Sequence, residues 1–156
     1  MAWRGPVRPL RDGGYRLELA DAERDLLLGL CTELGGLIES RDAAVGRLFP
    51  AAVRDDPEAS AEFDRLVHGE LVSGRLEALG TVRATIHAER LDEAELEAWC
   101  GALNDLRLVL GERLGVTEDT YDHPVDPHDP RAPDLALFGW LTWLQGTAVE
   151  ALASRL

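Results

Sequence analysis

A mainly α fold, a compact helical bundle with a short N-terminal β-hairpin, is what this sequence predicts, and three observations predict it. Leu and Ala dominate the apolar 46% of the chain while Ile, Phe and Tyr are scarce, a mixture that favours helices over strands. Apolar residues recur at helical spacing in four long segments. Only one short stretch near the N-terminus alternates as a strand pair does. At 156 residues the chain suits a single helical domain, 1–156, and a domain of that size buries roughly two thirds of its unfolded surface without a metal or disulfide staple.

The hairpin is read over 7–19. Asp12-Gly13-Gly14 offers the positive φ of a tight turn, and Tyr15, Leu17 and Leu19 alternate with Arg16 and Glu18. Pro9 has no amide hydrogen to donate, which confines the first strand to an edge. Asp21 is the expected cap of a first helix whose Leu27, Leu30, Cys31, Leu34, Leu37 and Ile38 share one face, with an end near Ser40. Phe49-Pro50 to Pro57 reads as a connector, because a residue before proline avoids the α region. A second helical region follows on Phe63, Leu66, Val67, Leu71, Leu79, Val82 and Ile86, and Gly69 and Gly74 predict a break near His68-Gly69. Asp92 with Glu95 forms a capping-box start and Gly115 a left-handed stop, so Glu93 to Leu114 is a long helix. Four prolines among acids and histidines make 118–133 an exposed loop. From Asp134 a last helix runs to the C-terminus.

Charge narrows the function classes. All 16 basic residues are arginines and the net charge is −13, which disfavours generic attraction to phosphate backbones. Direct DNA binding would have to use Arg4, Arg8, Arg11 and Arg16, the clustered basics around the hairpin. The first ten residues have no apolar core segment and do not read as a secretory signal, so a cytoplasmic location is expected. The fifteen residues between Asp134 and Glu150 carry no charge, yet they fall short of the ~18 needed to suggest a membrane span; a buried helix is the expectation, with no membrane contact.

Recognisable catalytic signatures are missing: no phosphate-binding glycine loop, no Gly-x-Ser-x-Gly elbow, no His-Glu-x-x-His. The expectation is therefore a protein that is not an enzyme, with no catalytic residue, no cofactor and no metal site. An unrecognised site of buried acids, or of Cys100 with a histidine, is the enzymatic alternative. His123 and His128 lie in a proline-broken loop that cannot present them on one helical face, and His68 and His87 are isolated. Cys31 and Cys100 are the redox candidates, each on or beside an apolar helical face where thiol reactivity falls. Asp105 and Arg107 find no opposite charge three or four residues away, so each needs a tertiary partner or faces another protein. With Trp99, Asn104, Trp140 and Trp143 they make up the candidate partner-binding residues, since tryptophan and arginine concentrate at interface hot spots.

Leu103-Asn104-Asp105-Leu106-Arg107-Leu108-Val109-Leu110-Gly111, the following Arg113-Leu114-Gly115-Val116-Thr117-Glu118-Asp119, and Trp140-Leu141-Thr142-Trp143-Leu144-Gln145 together resemble the AosR-like family of actinobacterial proteins. The agreement extends over nearly the whole chain, including the Gly-Gly hairpin, the Asp-Ala-Glu-Arg helix start at Asp21 and the Glu62-Phe63 segment. The resemblance implies a cytoplasmic transcriptional regulator that responds to oxidative stress, acts with the transcription machinery and is linked to cysteine metabolism. It supplies no catalytic residues. The chain departs from a redox switch in lacking a close cysteine pair. A protein partner, with the transcription machinery as one candidate, is therefore expected ahead of DNA.

Overall fold

Turn chemistry organises the N-terminal hairpin of this computed structural model, which describes residues 3–40, 48 and 57–155, with the side chains of 57–68 outside that set. Strands β1 (Val7–Pro9) and β2 (Tyr15–Leu17) pair antiparallel, Val7 opposite Leu17 and Pro9 opposite Tyr15. Of the two turn glycines only Gly13 takes a positive φ, +104°. A Cβ at Gly14 would come within 2.6 Å of the Arg90 guanidinium, the end of a half-exposed side chain that would have to shift to admit it. Asp12 accepts from the Gly14 amide and, at 2.7 Å, from Arg90 Nη2, so the turn is tied to a third strand, β3 (Arg90–Leu91). That strand pairs with β2 and leaves β1, with its proline, on the edge. Two residues are too few to show an alternation, and β3 was not foreseen for that reason.

Helix α1 spans Asp21–Glu39 and ends on Ser40. The expected cap is displaced by one residue: Ala20 is the N-cap, Glu23 Oε1 accepts from its amide at 2.8 Å, and Asp21 serves as a first-turn acid. Helix α2 runs unbroken over Pro57–Ala84, contrary to the break expected near His68-Gly69. Gly69 and Gly74 each cost only about 1 kcal/mol of helix propensity, and both face open space, so nothing pushes the backbone out of line. The connector read over 49–57 lies outside the described residues except for Pro57, as do the side chains of Phe63, Leu66, Val67 and His68.

Helix α3, Glu93–Leu114, has the expected box: Asp92 Oδ1 accepts from Glu95 N at 2.7 Å and Glu95 Oε1 from Asp92 N at 2.9 Å. Gly115 closes it at φ +65°. After turns over 115–131, α4 occupies Ala132–Ala153. It begins two residues before Asp134 because Pro133 sits in the first turn, where an amide hydrogen has no helical partner to lose.

The core is built around α3, with α4 on one side and α2 on the other and α1 packed mainly on α2. Gly111 lets α4 approach closely; a Cβ there would stand 3.0 Å from the Phe138 ring. Inward residues of the sheet, Val7, Tyr15, Leu17 and Leu91, join Leu27, Leu96 and Leu144 in one cluster. Arg24, buried at 5% exposure, fastens sheet to helices: its guanidinium donates to the carbonyls of Leu17, Leu19, Ile86 and Ala88. No described helix is long and apolar enough to cross a membrane.

Candidate protein-binding face on the C-terminal helix

Helix α4 carries only Asp134 and Glu150 as charges and is apolar on nearly every side, a composition typical of a helix buried all round. The fold buries only part of it. Leu135, Leu141, Leu144, Ala148 and Ala151 face the core, while Trp143 is 52% exposed and Val149 49%. Trp140 is half-buried against the core. Gly146 has nothing within 4 Å of where a Cβ would stand. Solvent therefore meets a tryptophan on an uncharged stretch, more exposed than Trp3, Leu26, Leu71 or Tyr121.

Beside that face runs a polar seam between α3 and α4. Arg107 Nε donates to Thr142 Oγ1 at 3.0 Å and Nη1 donates to Gln145 Oε1, and the guanidinium carbon lies 5.5 Å from the Phe138 ring centre, within cation–π range. Gln145 Nε2 reaches Asn104 Oδ1 at 3.5 Å. The tertiary partners that Asp105 and Arg107 required are thus both present: Asp105 is buried and ion-paired to Arg75 of α2. Burial pushes the Asp105 carboxyl above its ordinary range, with Arg75 pulling the other way. Trp99 belongs to the interior, 1% exposed, its Nε1 donating to Thr85 Oγ1 at 2.8 Å. Of the six candidate partner-binding residues, then, Trp99 and Asp105 are interior groups, and Asn104, Arg107 and Trp140 are half-buried. Only Trp143 stands well out. Gly146, three residues on from Trp143, shares its face in any α-helix, whereas Val149, six residues on, points about 120° away round the axis.

The cysteines are free, Cys31 buried and Cys100 half-buried. Burial raises both thiols to about 11, the Arg83 charge opposing this at Cys31 and Glu97 adding to it at Cys100. At pH 8 a group titrating at about 11 is thiolate in only about one molecule in a thousand. Alkylation of the native protein by iodoacetamide should therefore be slow at both positions and accelerate about tenfold per pH unit toward 11. Fast single-site labelling at pH 8 by mass spectrometry would contradict this.

Other surfaces offer less. An apolar cleft between α1 and α3 is lined by Leu30, Leu37, Val109 and Leu110 and edged by Glu33 and Arg113, 3.9 Å apart. Glu77 and Glu97 flank a cleft between α2 and α3 where Asp92 and Glu95 are engaged in the helix cap. Around the hairpin, Arg8 and Arg16 both pair with Glu18 at 3.0 Å, which lowers the positive charge available to a nucleic acid. No cluster of metal-ligating side chains occurs among the described residues.

A family model, DUF2017, described as a domain of unknown function, matches residues 2–152. The chain belongs to this family. The match covers all four helices almost to the end of α4, so the exposed tryptophan face lies inside the DUF2017 region. No curated protein and no solved structure matches the chain.

Proposed function

We propose that this DUF2017 protein is a non-enzymatic regulatory domain that binds another protein through the exposed face of α4. The observation that carries the reading is Trp143, half exposed on a helix with no charge from Leu135 to Val149. An isolated exposed apolar side chain needs no explanation, but a tryptophan flanked by uncharged, small residues has the make-up of an interface anchor. The polar seam of Arg107, Thr142 and Gln145 supplies a rim of donors and acceptors beside it. The resemblance to the AosR-like family supports a setting in cytoplasmic transcription regulation under oxidative stress, with the transcription machinery as partner. Against a DNA-binding reading stand the −13 charge and the engagement of Arg8 and Arg16 by Glu18.

Affinity capture from a native extract with the tagged chain should recover a stoichiometric protein, and Trp143→Ala should lower recovery at least tenfold, the effect of losing a hot spot worth ~1.4 kcal/mol or more. Because Trp143 is largely outside the core, that variant should melt close to the parent. Capture that persists undiminished in Trp143→Ala removes α4 from the contact.

A further inference from the structure

The exposed face of α4 is complementary to itself, and from it we infer that a second copy of this chain covers it, the two α4 helices crossing antiparallel with Trp143 of each set into the notch at Gly146 of the other. This rests on the protein-binding reading of α4 and adds a self-contact weak enough for the other protein to displace. Ala136, Gly139, Trp143, Gly146, Glu150 and Ala153 follow one another at spacings of three and four, the repeat that keeps a seam facing a partner helix. All are exposed except Gly139, which is half-buried. A twofold contact must use the same patch on both chains, so a protrusion needs its own recess within that patch. Trp143 is the protrusion. Gly146, with nothing within 4 Å of its missing Cβ, is the recess, three residues away.

Setting Trp143 opposite Gly146 puts the symmetry axis between Leu144 and Gln145 and fixes the rest of the register. Ala136 then lies at the level of Ala153, and Gly139 at the level of Glu150. Charge favours the same pairing. Two copies at −13 each repel wherever their acidic surfaces meet, and the stretch 135–149 is free of charge. In this register the two Glu150 side chains stand eleven residues apart along the seam, about 16 Å, roughly twice the Debye length of about 8 Å at physiological salt. The helix is about 33 Å long, and one seam of that length falls short of the ~800 Å² per partner of a standard stable interface. A weak dimer, with Kd in the micromolar range or above, is what such a contact gives.

Sedimentation equilibrium of the purified full chain from about 1 μM to about 1 mM tests this, a range that brackets such a Kd. The weight-average mass should rise from one chain toward two, with a blue shift of tryptophan emission. Gly146→Leu is the decisive variant: it improves helix propensity at an exposed position where a Cβ meets nothing within 4 Å, yet it fills the notch. It should weaken association at least tenfold with an unchanged or higher melting temperature, and Trp143→Ala should do the same without the thermal gain. A chain that stays monomeric throughout, or a dimer indifferent to both variants, overturns the inference. If the monomer still captures another protein from extract in a Trp143-dependent way, the binding face stands and only its occupant was wrong; if neither self-association nor capture depends on Trp143, both readings fall.

Discussion

Replacing Arg24 by Met should destabilise the fold by about 3–5 kcal/mol, the cost of removing one side of a buried, charge-assisted network. The reason is where its four bonds go. Nη1 donates to Ile86 O at 2.8 Å and Ala88 O at 2.7 Å, just past the end of α2, while Nη2 and Nε donate at 3.1 Å to Leu17 O and Leu19 O, between β2 and α1. Among the described residues no carboxylate pairs with it. Its charge is held by carbonyl dipoles, two of them in the turn after α2, where the helix dipole is negative. Methionine keeps much of the stem but leaves those carbonyls facing an apolar group. Arg24→Lys should lose about half as much, because an ammonium has three donors and cannot span the fork. Urea unfolding monitored by far-ultraviolet circular dichroism measures both; a loss below about 1 kcal/mol for Arg24→Met would place the network at the level of ordinary surface bonds.

Trp99→Ala should cost about 3–5 kcal/mol, as expected for a large aromatic removed from a packed interior. The side chain is 1% exposed and contributes both volume and a polar anchor. Its Nε1 donates to Thr85 Oγ1 at 2.8 Å, and that hydroxyl donates in turn to Thr81 O at 2.7 Å, so the ring is tied to the last turn of α2 and the residue following it. Trp99→Phe should separate the two contributions, retaining part of the volume and losing the bond, at about 1–3 kcal/mol. A double-mutant cycle with Thr85→Val isolates the coupling. Equal losses for the Phe and Ala variants would mean that the hydrogen bond, not the packing, dominates.

Helix α3 was legible because each end has its own chemical mark: the reciprocal Asp92–Glu95 box at one and a glycine at positive φ at the other. The edge position of Pro9 followed from its missing donor in the same direct way. For Asp105 and Arg107 the sequence leaves open a tertiary partner or another protein; the fold supplies Arg75, thirty residues away on α2, and Gln145, thirty-eight away on α4, separations that no local pattern encodes. The break wrongly expected in α2 came from weighing two glycines by propensity alone. Trp99 and Trp143 look alike as letters, each on an apolar helix, yet one is sealed in the core and the other half open to water.

Local signals therefore determined the mainly helical class, the bounds of α3, the hairpin and the proline-broken loop, because caps, turns and periodicity act within a few residues and are written in them. Which face of α4 would be covered was decided only by tertiary packing. A helix apolar on all sides has no preferred inner face of its own, so the choice fell to its neighbours: Gly111 admits Phe138, Gly5 at φ +129° admits Thr147, and Trp143 is left half open to water.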